Sequence, residues 1–169
     1  IVGATAVGKT QYSLDIATQN GYSILSADSM QVYREMDIGT AKVSPHDRKR
    51  VPHFLIDIIN PDQPWTLRHF MDASKMLLKP NHKIMVVGGT GLYIRALIEG
   101  FELPESGANP EIRETLKQRV ASEGLLSLYQ ELCLKDPASA VVINPADAFR
   151  IIRALEIIEK TGQKAMSYK

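Results

Sequence analysis

The sequence has little cysteine, little net charge and no long apolar run. Cys133 is the only cysteine in 169 residues, which excludes an internal disulfide and is typical of a reducing compartment, so we expect a cytoplasmic protein. We read Cys133 as a small buried apolar residue rather than a nucleophile. No apolar run approaches the ~18 residues that span a membrane, and we expect neither a membrane segment nor a signal peptide. A formal charge of +1 neither demands nor excludes nucleic acid.

The first ten residues contain the pattern G-x-x-x-x-G-K-[ST], which is typical of a phosphate-binding loop. Its glycines let successive backbone N–H groups point inward, and the following helix adds its positive N-terminal end. The lysine neutralises the outer phosphate and the threonine hydroxyl binds Mg²⁺. The loop therefore predicts a phosphate-bearing ligand without naming the reaction, since ATPases, GTPases, kinases and transferases all use it. Its residues are Gly3, Ala4, Thr5, Ala6, Val7, Gly8, Lys9 and Thr10.

Alternating strand and helix patterns follow this loop. A helix is expected from Thr10 to Gln19, and strands are expected at 22–27, 54–59 and 83–87. This order predicts an α/β fold: a parallel sheet flanked by helices, like that of P-loop nucleotide hydrolases. Because such a loop normally follows a buried strand, we expect that strand to begin before Ile1 and the chain to be incomplete at both ends.

Two further segments should lie at the same edge of the sheet as the phosphate loop. Asp28 follows the strand 22–27, where it fits a ligand site and a helix N-cap equally well. The turn 88–91, Gly-Gly-Thr-Gly, follows the strand 83–87 and forms a second edge suited to anions. Kinases often place an acidic residue there, whereas this chain has Thr90. Asp57 is a weak candidate for the missing magnesium ligand, because two isoleucines follow it within the expected strand.

Beyond residue 103 the pattern becomes helical. Expected helices run from Pro110 to a stop at Gly124, over 125–135 and 137–143, and from Asn144 to Thr161. We predict an α/β core at 1–103, a helical insert at 104–146, and a helix at 147–169 that returns to the core. Arg150 and Arg153 share one helix face, where spacing alone favours solvated arginines, with Arg153 paired to Glu156, over an RNA contact.

Several sequence blocks resemble the tRNA dimethylallyltransferases, also called tRNA isopentenylpyrophosphate transferases. The most specific block runs from Asp28 to Lys42, and the others lie in family order over nearly the whole chain. Three positions depart from the family pattern: Asn144 and Ala146, where histidine and asparagine are usual, and Glu35, where a glycine often follows the arginine. The matching blocks are 3–10, 28–34, 36–42, 52–58, 88–93 and 150–156.

The resemblance implies transfer of a dimethylallyl group from dimethylallyl diphosphate to the N6 amine of an adenosine beside the tRNA anticodon. It implies that Asp28 is the general base, that Lys9 and Thr90 act at the reacting centre, and that Thr10 binds Mg²⁺. The helical insert would grip the anticodon stem-loop, and the enzyme would be a cytoplasmic monomer. The residues implied to contact tRNA are Asp28, Ser29, Met30, Gln31, Phe149, Arg150, Ile151, Ile152 and Arg153.

Three other functions remain open at this point. An isopentenyltransferase acting on free adenine nucleotides, as in cytokinin synthesis, would share the phosphate loop and Asp28 but need no RNA grip. A small-molecule kinase or ATPase would need an acidic residue at a strand end, which the pattern does not supply. A non-catalytic RNA-binding module has little support from a charge of +1.

Overall fold

A computed structural model describes residues 1–104 and 107–168. It divides the chain into two compact units, residues 1–100 and 101–169. Within the described residues, the first unit contains helices α1 (Lys9–Asn20), α2 (Pro45–Arg50), α3 (Leu67–Leu77) and α4 (Gly91–Glu99), and strands β1 (Ser23–Ser26), β2 (His53–Phe54) and β3 (Ile84–Val87). None of the described helices has the length and apolar character that crossing a membrane requires.

The strands form a parallel sheet, as the sequence predicted, and their order is β2-β1-β3. Ile24 pairs with His53 on one side and with Met85 on the other. Val2 forms a single parallel bridge with Gly88, so the phosphate loop starts at this sheet. The core of the unit combines apolar residues of the sheet, of α1 and of the segments that follow β1 and β2: Leu14, Ala17, Ile24, Val43, Val51 and Ile56.

The prediction of a strand over residues 54–59 is wrong. β2 ends at Phe54, because Leu55 and Asp57 adopt left-handed backbone conformations, with φ of 63° and 56°. The chain next pairs with the loop after β1: the Asp57 and Ile58 N–H groups donate to the Gln31 and Val32 carbonyls at 3.1 and 2.9 Å, and Ile59 bridges Tyr33. The segment 57–59 therefore fastens the loop after β1 instead of extending the sheet.

The second unit is a bundle of α5 (Pro110–Glu123), α6 (Leu125–Lys135), α7 (Pro137–Val142) and α8 (Ala148–Thr161), followed by a 3₁₀ helix (Ala165–Ser167). Its helices meet over one apolar core: Leu116, Leu128, Leu132, Ala140, Ile151, Ala154 and Leu155. Cys133 packs at the margin of this core, as expected of a small apolar residue.

Two sequence predictions for this unit need correction. The segments 104–146 and 147–169 were predicted as separate parts, yet α8 packs on α5 and α6 and belongs to their unit. The last helix was also predicted to start at Asn144. It starts at Ala148, because Asp147 caps it by accepting a hydrogen bond from the Arg150 N–H, while Asn144 forms a turn with Ala146.

Candidate active site

A cleft of about 460 Å³ opens at the carboxyl ends of the strands in the first unit. The phosphate loop forms one wall, the segment 28–31 after β1 forms another, and the turn after β3 contributes Gly88 and Gly89. The structure therefore brings together the three segments that the sequence placed at one edge of the sheet. Residues lining the cleft include Thr5, Ala6, Gly8, Lys9, Thr10, Asp28, Gln31, Thr40, Ala41, Asp47 and His53.

The phosphate loop has the backbone needed to curl around an anion. Ala6 and Gly8 both have positive φ, 66° and 82°, and Gly8 stands directly before α1. The Lys9 ammonium donates to the Ala4 carbonyl across the loop. A Cβ added to Gly89 would lie 3.9 Å from Lys9 Nζ and 3.4 Å from the Gly3 carbonyl oxygen, so the two glycine-rich segments are neighbours.

The segments after β1 and β3 are joined by close contacts. The Ser29 N–H donates to Thr90 Oγ1 at 3.0 Å, and the Thr90 N–H donates to the Ala27 carbonyl at 3.2 Å. A Cβ added to Gly88 would lie only 2.2 Å from that carbonyl oxygen, so only glycine fits here. Thr90 is thus tied to the residue that follows Asp28.

Asp28 lies in a turn, and within the described residues no helix starts after it, so the interpretation as a helix N-cap is wrong. Its Oδ1 accepts hydrogen bonds from the Met30 N–H at 2.8 Å and the Gln31 N–H at 3.3 Å, as in an Asx turn. Oδ2 has no hydrogen-bond partner in the part of the chain that the structure describes, and Asp28 lines the cleft. One oxygen therefore orients the carboxylate, which leaves the other available to a ligand.

Gln31 fixes a further wall of the cleft. Its amide oxygen accepts from Ser26 Oγ at 3.2 Å, and its amide nitrogen donates to the Thr40 carbonyl at 3.1 Å. The loop that follows β1 is thereby fastened beside Asp28. Ser29 is partly buried, and Met30 is exposed next to it.

His53 is a polar residue of the cleft for which sequence reasoning gave no role. Its Nδ1 lies 2.6 Å from the Val51 carbonyl oxygen, and burial lowers the pKa of the imidazole. The neutral ring then carries its proton on Nδ1 and keeps Nε2 as an acceptor. Two features could have identified His53 as a residue of the cleft: its place in the matching block 52–58 and its position on β2.

The residues predicted on α8 differ in accessibility. Phe149 is 76% exposed, and the exposed Arg150 forms an ion pair with Asp147 at 3.4 Å. Ile151 is fully buried in the helical core, so its side chain supports packing and the predicted contact with tRNA is wrong for that side chain. Ile152 is partly buried against the same core.

Arg153 pairs with Glu156 at 2.8 Å, which confirms the predicted pairing of these two residues. Glu156 is fully buried and also accepts from Arg113 and from the Asn109 N–H, at 2.7 and 2.6 Å. Burial alone would raise the pKa of Glu156, but these three donors outweigh it and lower the pKa. Arg113 of α5 thus ties α8 to its neighbour through Glu156, while Arg153 supports the same carboxylate from within α8.

Two family models match the chain. The model described as IPP transferase matches residues 31–169, and the model described as isopentenyl transferase matches residues 1–56. The tRNA dimethylallyltransferase of Herpetosiphon aurantiacus is 46% identical over 167 residues, which are 96% of this chain and 53% of that protein. The chain spans about half the length of the curated relatives it matches.

Solved structures are similar as well. The full-length tRNA isopentenylpyrophosphate transferase of Bacillus halodurans is 42% identical, with a TM-score of 0.57 over 96% of this chain and 55% of that one. A eukaryotic dimethylallyltransferase acting on tRNA is 28% identical, with a TM-score of 0.75 over 98% of this chain and 42% of that one.

Proposed function

Because this chain belongs to the IPP transferase family, we propose that it transfers a dimethylallyl group from dimethylallyl diphosphate to the N6 amine of an adenosine next to the tRNA anticodon. The observation that carries the proposal is the shared cleft, in which Asp28 and the phosphate loop both form walls. A prenyl transfer to an amine needs both functions: a group that takes a proton and a group that receives the departing diphosphate.

The phosphate loop stabilises the leaving group. As the bond between the allylic carbon and the diphosphate oxygen breaks, negative charge develops on the diphosphate. Lys9 and the N–H groups of residues 3–10, with the N-terminal end of α1, stabilise that charge. An allylic carbon tolerates a loosened bond, so stabilising the leaving group lowers the barrier directly. Thr90, tied to Ser29, lies beside this centre in the proposal.

Magnesium fits the donor set of the loop. The exposed Thr10 hydroxyl lines the cleft, and the described residues contain no cluster of three histidine, cysteine or acidic side chains able to hold a metal. Mg²⁺ commonly binds through one or two protein oxygens together with substrate phosphates and water. Thr10 would supply that protein ligand, and the ion would add positive charge at the diphosphate.

Asp28 acts as the general base. An adenine amine is a weak nucleophile, and a carboxylate within hydrogen-bond reach removes its proton as the new carbon–nitrogen bond forms. Oδ1 is held by Met30 and Gln31, so Oδ2 is the oxygen that accepts the proton. The proton thus leaves the nitrogen at one end of the new bond, and the diphosphate leaves the allylic carbon at the other end.

The adenosine must leave its stack to enter the cleft, which costs a few kcal/mol and less in a single-stranded loop such as an anticodon loop. Ser29, Met30 and Gln31 line its path in the proposal, and exposed residues near the start of α8, Phe149 and Arg150, contact the RNA. We propose a cytoplasmic monomer as the active form.

Transfer of a labelled prenyl group tests the proposal. The full-length protein is incubated with Mg²⁺, labelled dimethylallyl diphosphate and either unmodified tRNA or AMP. We expect label in tRNA and none in AMP. The match of residues 1–56 to the isopentenyl transferase model keeps free adenine nucleotides as the second candidate acceptor. Label in AMP alone would establish that alternative, and label in neither would refute prenyl transfer to adenine.

A further inference from the structure

The segment 35–42, here called the rim loop, borders the cleft without a helix or strand of its own. Thr40 and Ala41 line the cleft together with Asp28. Ile38 lies two residues before Thr40 and is 100% exposed. An isoleucine with all of its side chain in water contributes nothing to packing, so its apolar surface is open to a binding partner beside the cleft-lining Thr40.

The rim loop is tightly held, although its tip is exposed. Thr40 Oγ1 donates to the Met36 carbonyl at 2.6 Å, and Lys42 Nζ pairs with Asp37 at 2.6 Å. Gln31 holds the Thr40 carbonyl from the side of Asp28. Because these bonds hold the rim loop on both sides of Ile38, the backbone keeps Ile38 at a fixed place. The rim loop therefore loses little conformational entropy when the Ile38 side chain binds a partner.

The rim loop carries two acidic residues, Glu35 and Asp37, and one basic residue, Lys42. The acidic residue next to Ile38 is Asp37, and the Lys42 ammonium neutralises it. Lys42 is itself only 3% exposed, so the pair does not compete for external phosphates. The tip therefore presents an apolar group next to an aspartate whose charge is balanced by an ion pair, while the exposed Glu35 lies three residues before Ile38.

From these observations we propose that Ile38 contacts the nucleobases beside the extruded adenosine. This inference rests on the proposed function, because a polynucleotide acceptor leaves unstacked neighbours at the mouth of the cleft. Isoleucine is among the apolar side chains that proteins insert at unstacked base steps. The rim loop would thus favour an adenosine within an RNA loop over a free nucleotide.

The variants Ile38→Ala and Ile38→Asp in the full-length protein test this contact. The control is Ile98→Ala, which removes a similarly exposed isoleucine from α4. The probe is an unmodified anticodon stem-loop with 2-aminopurine beside the target adenosine. We expect the Kd for the stem-loop to rise about tenfold for Ile38→Ala and more for Ile38→Asp, with the 2-aminopurine signal altered. The KM for dimethylallyl diphosphate and the kcat at saturating RNA should stay within about twofold, as a local contact requires.

If the Kd and the 2-aminopurine signal of the Ile38 variants equal those of the Ile98→Ala control, the proposal is overturned. A protein partner would then be the remaining candidate to contact the Ile38 side chain. A parallel rise in the KM for dimethylallyl diphosphate would also overturn it, since that result indicates a disturbed cleft. The Kd is measured without turnover, so the contact with RNA is tested even if the wild-type protein transfers no prenyl group.

Discussion

Gly88 is the residue at which the geometry of the site is most sensitive to a single methyl group. We expect Gly88→Ala to lower the free energy of unfolding by about 2 kcal/mol, because the new Cβ would meet the Ala27 carbonyl and force β1 and β3 apart. Gly91→Ala is the matched control: its Cβ meets nothing within 4 Å, and alanine favours the helix that starts there. Urea unfolding of both variants measures the difference, and equal stabilities would contradict this account of the turn.

Glu156 is a fully buried residue whose carboxylate joins α8 to α5 and to Asn109 before it. Glu156→Gln removes the charge that holds Arg113 and Arg153, and we expect a loss of about 3 kcal/mol in unfolding free energy. The control Glu114→Gln, in the exposed pair with Lys117, should leave stability close to that of the wild type. Thermal and urea unfolding at neutral pH compare the two. A loss of stability no larger than that of the control would mean that the ion pairs of Glu156 with Arg113 and Arg153 do not stabilise the second unit.

At the scale of elements, Lys42 joins the rim loop to the segment after β2. It pairs with Asp37 and with Asp57, both at 2.6 Å, and Arg48 of α2 pairs with Asp57 at the same distance. Burial alone would lower the pKa of Lys42, but its bonds to the two aspartates outweigh burial and raise it. Burial likewise would raise the pKa of Asp57, but its bonds to Lys42 and Arg48 lower it.

The stability that this cluster contributes has a defined pH window. The lowered pKa of Asp57 means that its contribution is present above its ordinary value of 3.8 and is lost as pH falls through the folded-state pKa. The raised pKa of Lys42 means that its contribution is present below 10.5 and is lost as pH rises through the folded-state pKa.

We therefore expect Lys42→Met to cost about 3 kcal/mol in unfolding free energy near neutral pH, and much less well below pH 3.8. Lys117→Met, in an exposed pair, is the control. Urea unfolding across this pH range gives the comparison. A cost that does not change with pH would show that lost packing, rather than the ion pairs, destabilises the variant.

Elements marked by local chemistry could be predicted from the sequence. The helix α6 has the predicted bounds, 125–135. The strand predicted over 54–59 failed because left-handed backbone at Leu55 and Asp57 leaves no mark in the apolar pattern. The hydrogen bond from Ser29 to Thr90 joins residues that are 61 positions apart in the sequence. Helix and strand periodicity gives no information on contacts over such a separation.

At the scale of the whole molecule, the chain consists of two units with different kinds of core. The first unit is built on a parallel sheet and contains the cleft, and the second is a helical bundle around Leu116, Leu128 and Leu155. The change from strand to helix patterns near residue 103 predicted this division to within a few residues. The pattern did not predict that α8 shares the bundle core. An apolar stripe indicates that one face of a helix is buried, but it does not identify the residues that the face packs against.

The most direct test of the proposed reaction compares two properties of one Asp28 variant in the full-length protein. Single-turnover transfer of labelled dimethylallyl to unmodified tRNA is measured for the wild type and Asp28→Ala, alongside the Kd for dimethylallyl diphosphate. If Asp28 removes the proton, the variant binds the diphosphate nearly as well as the wild type while transfer falls by about two to four orders of magnitude. Transfer at the wild-type rate would contradict the assignment of Asp28 as the base.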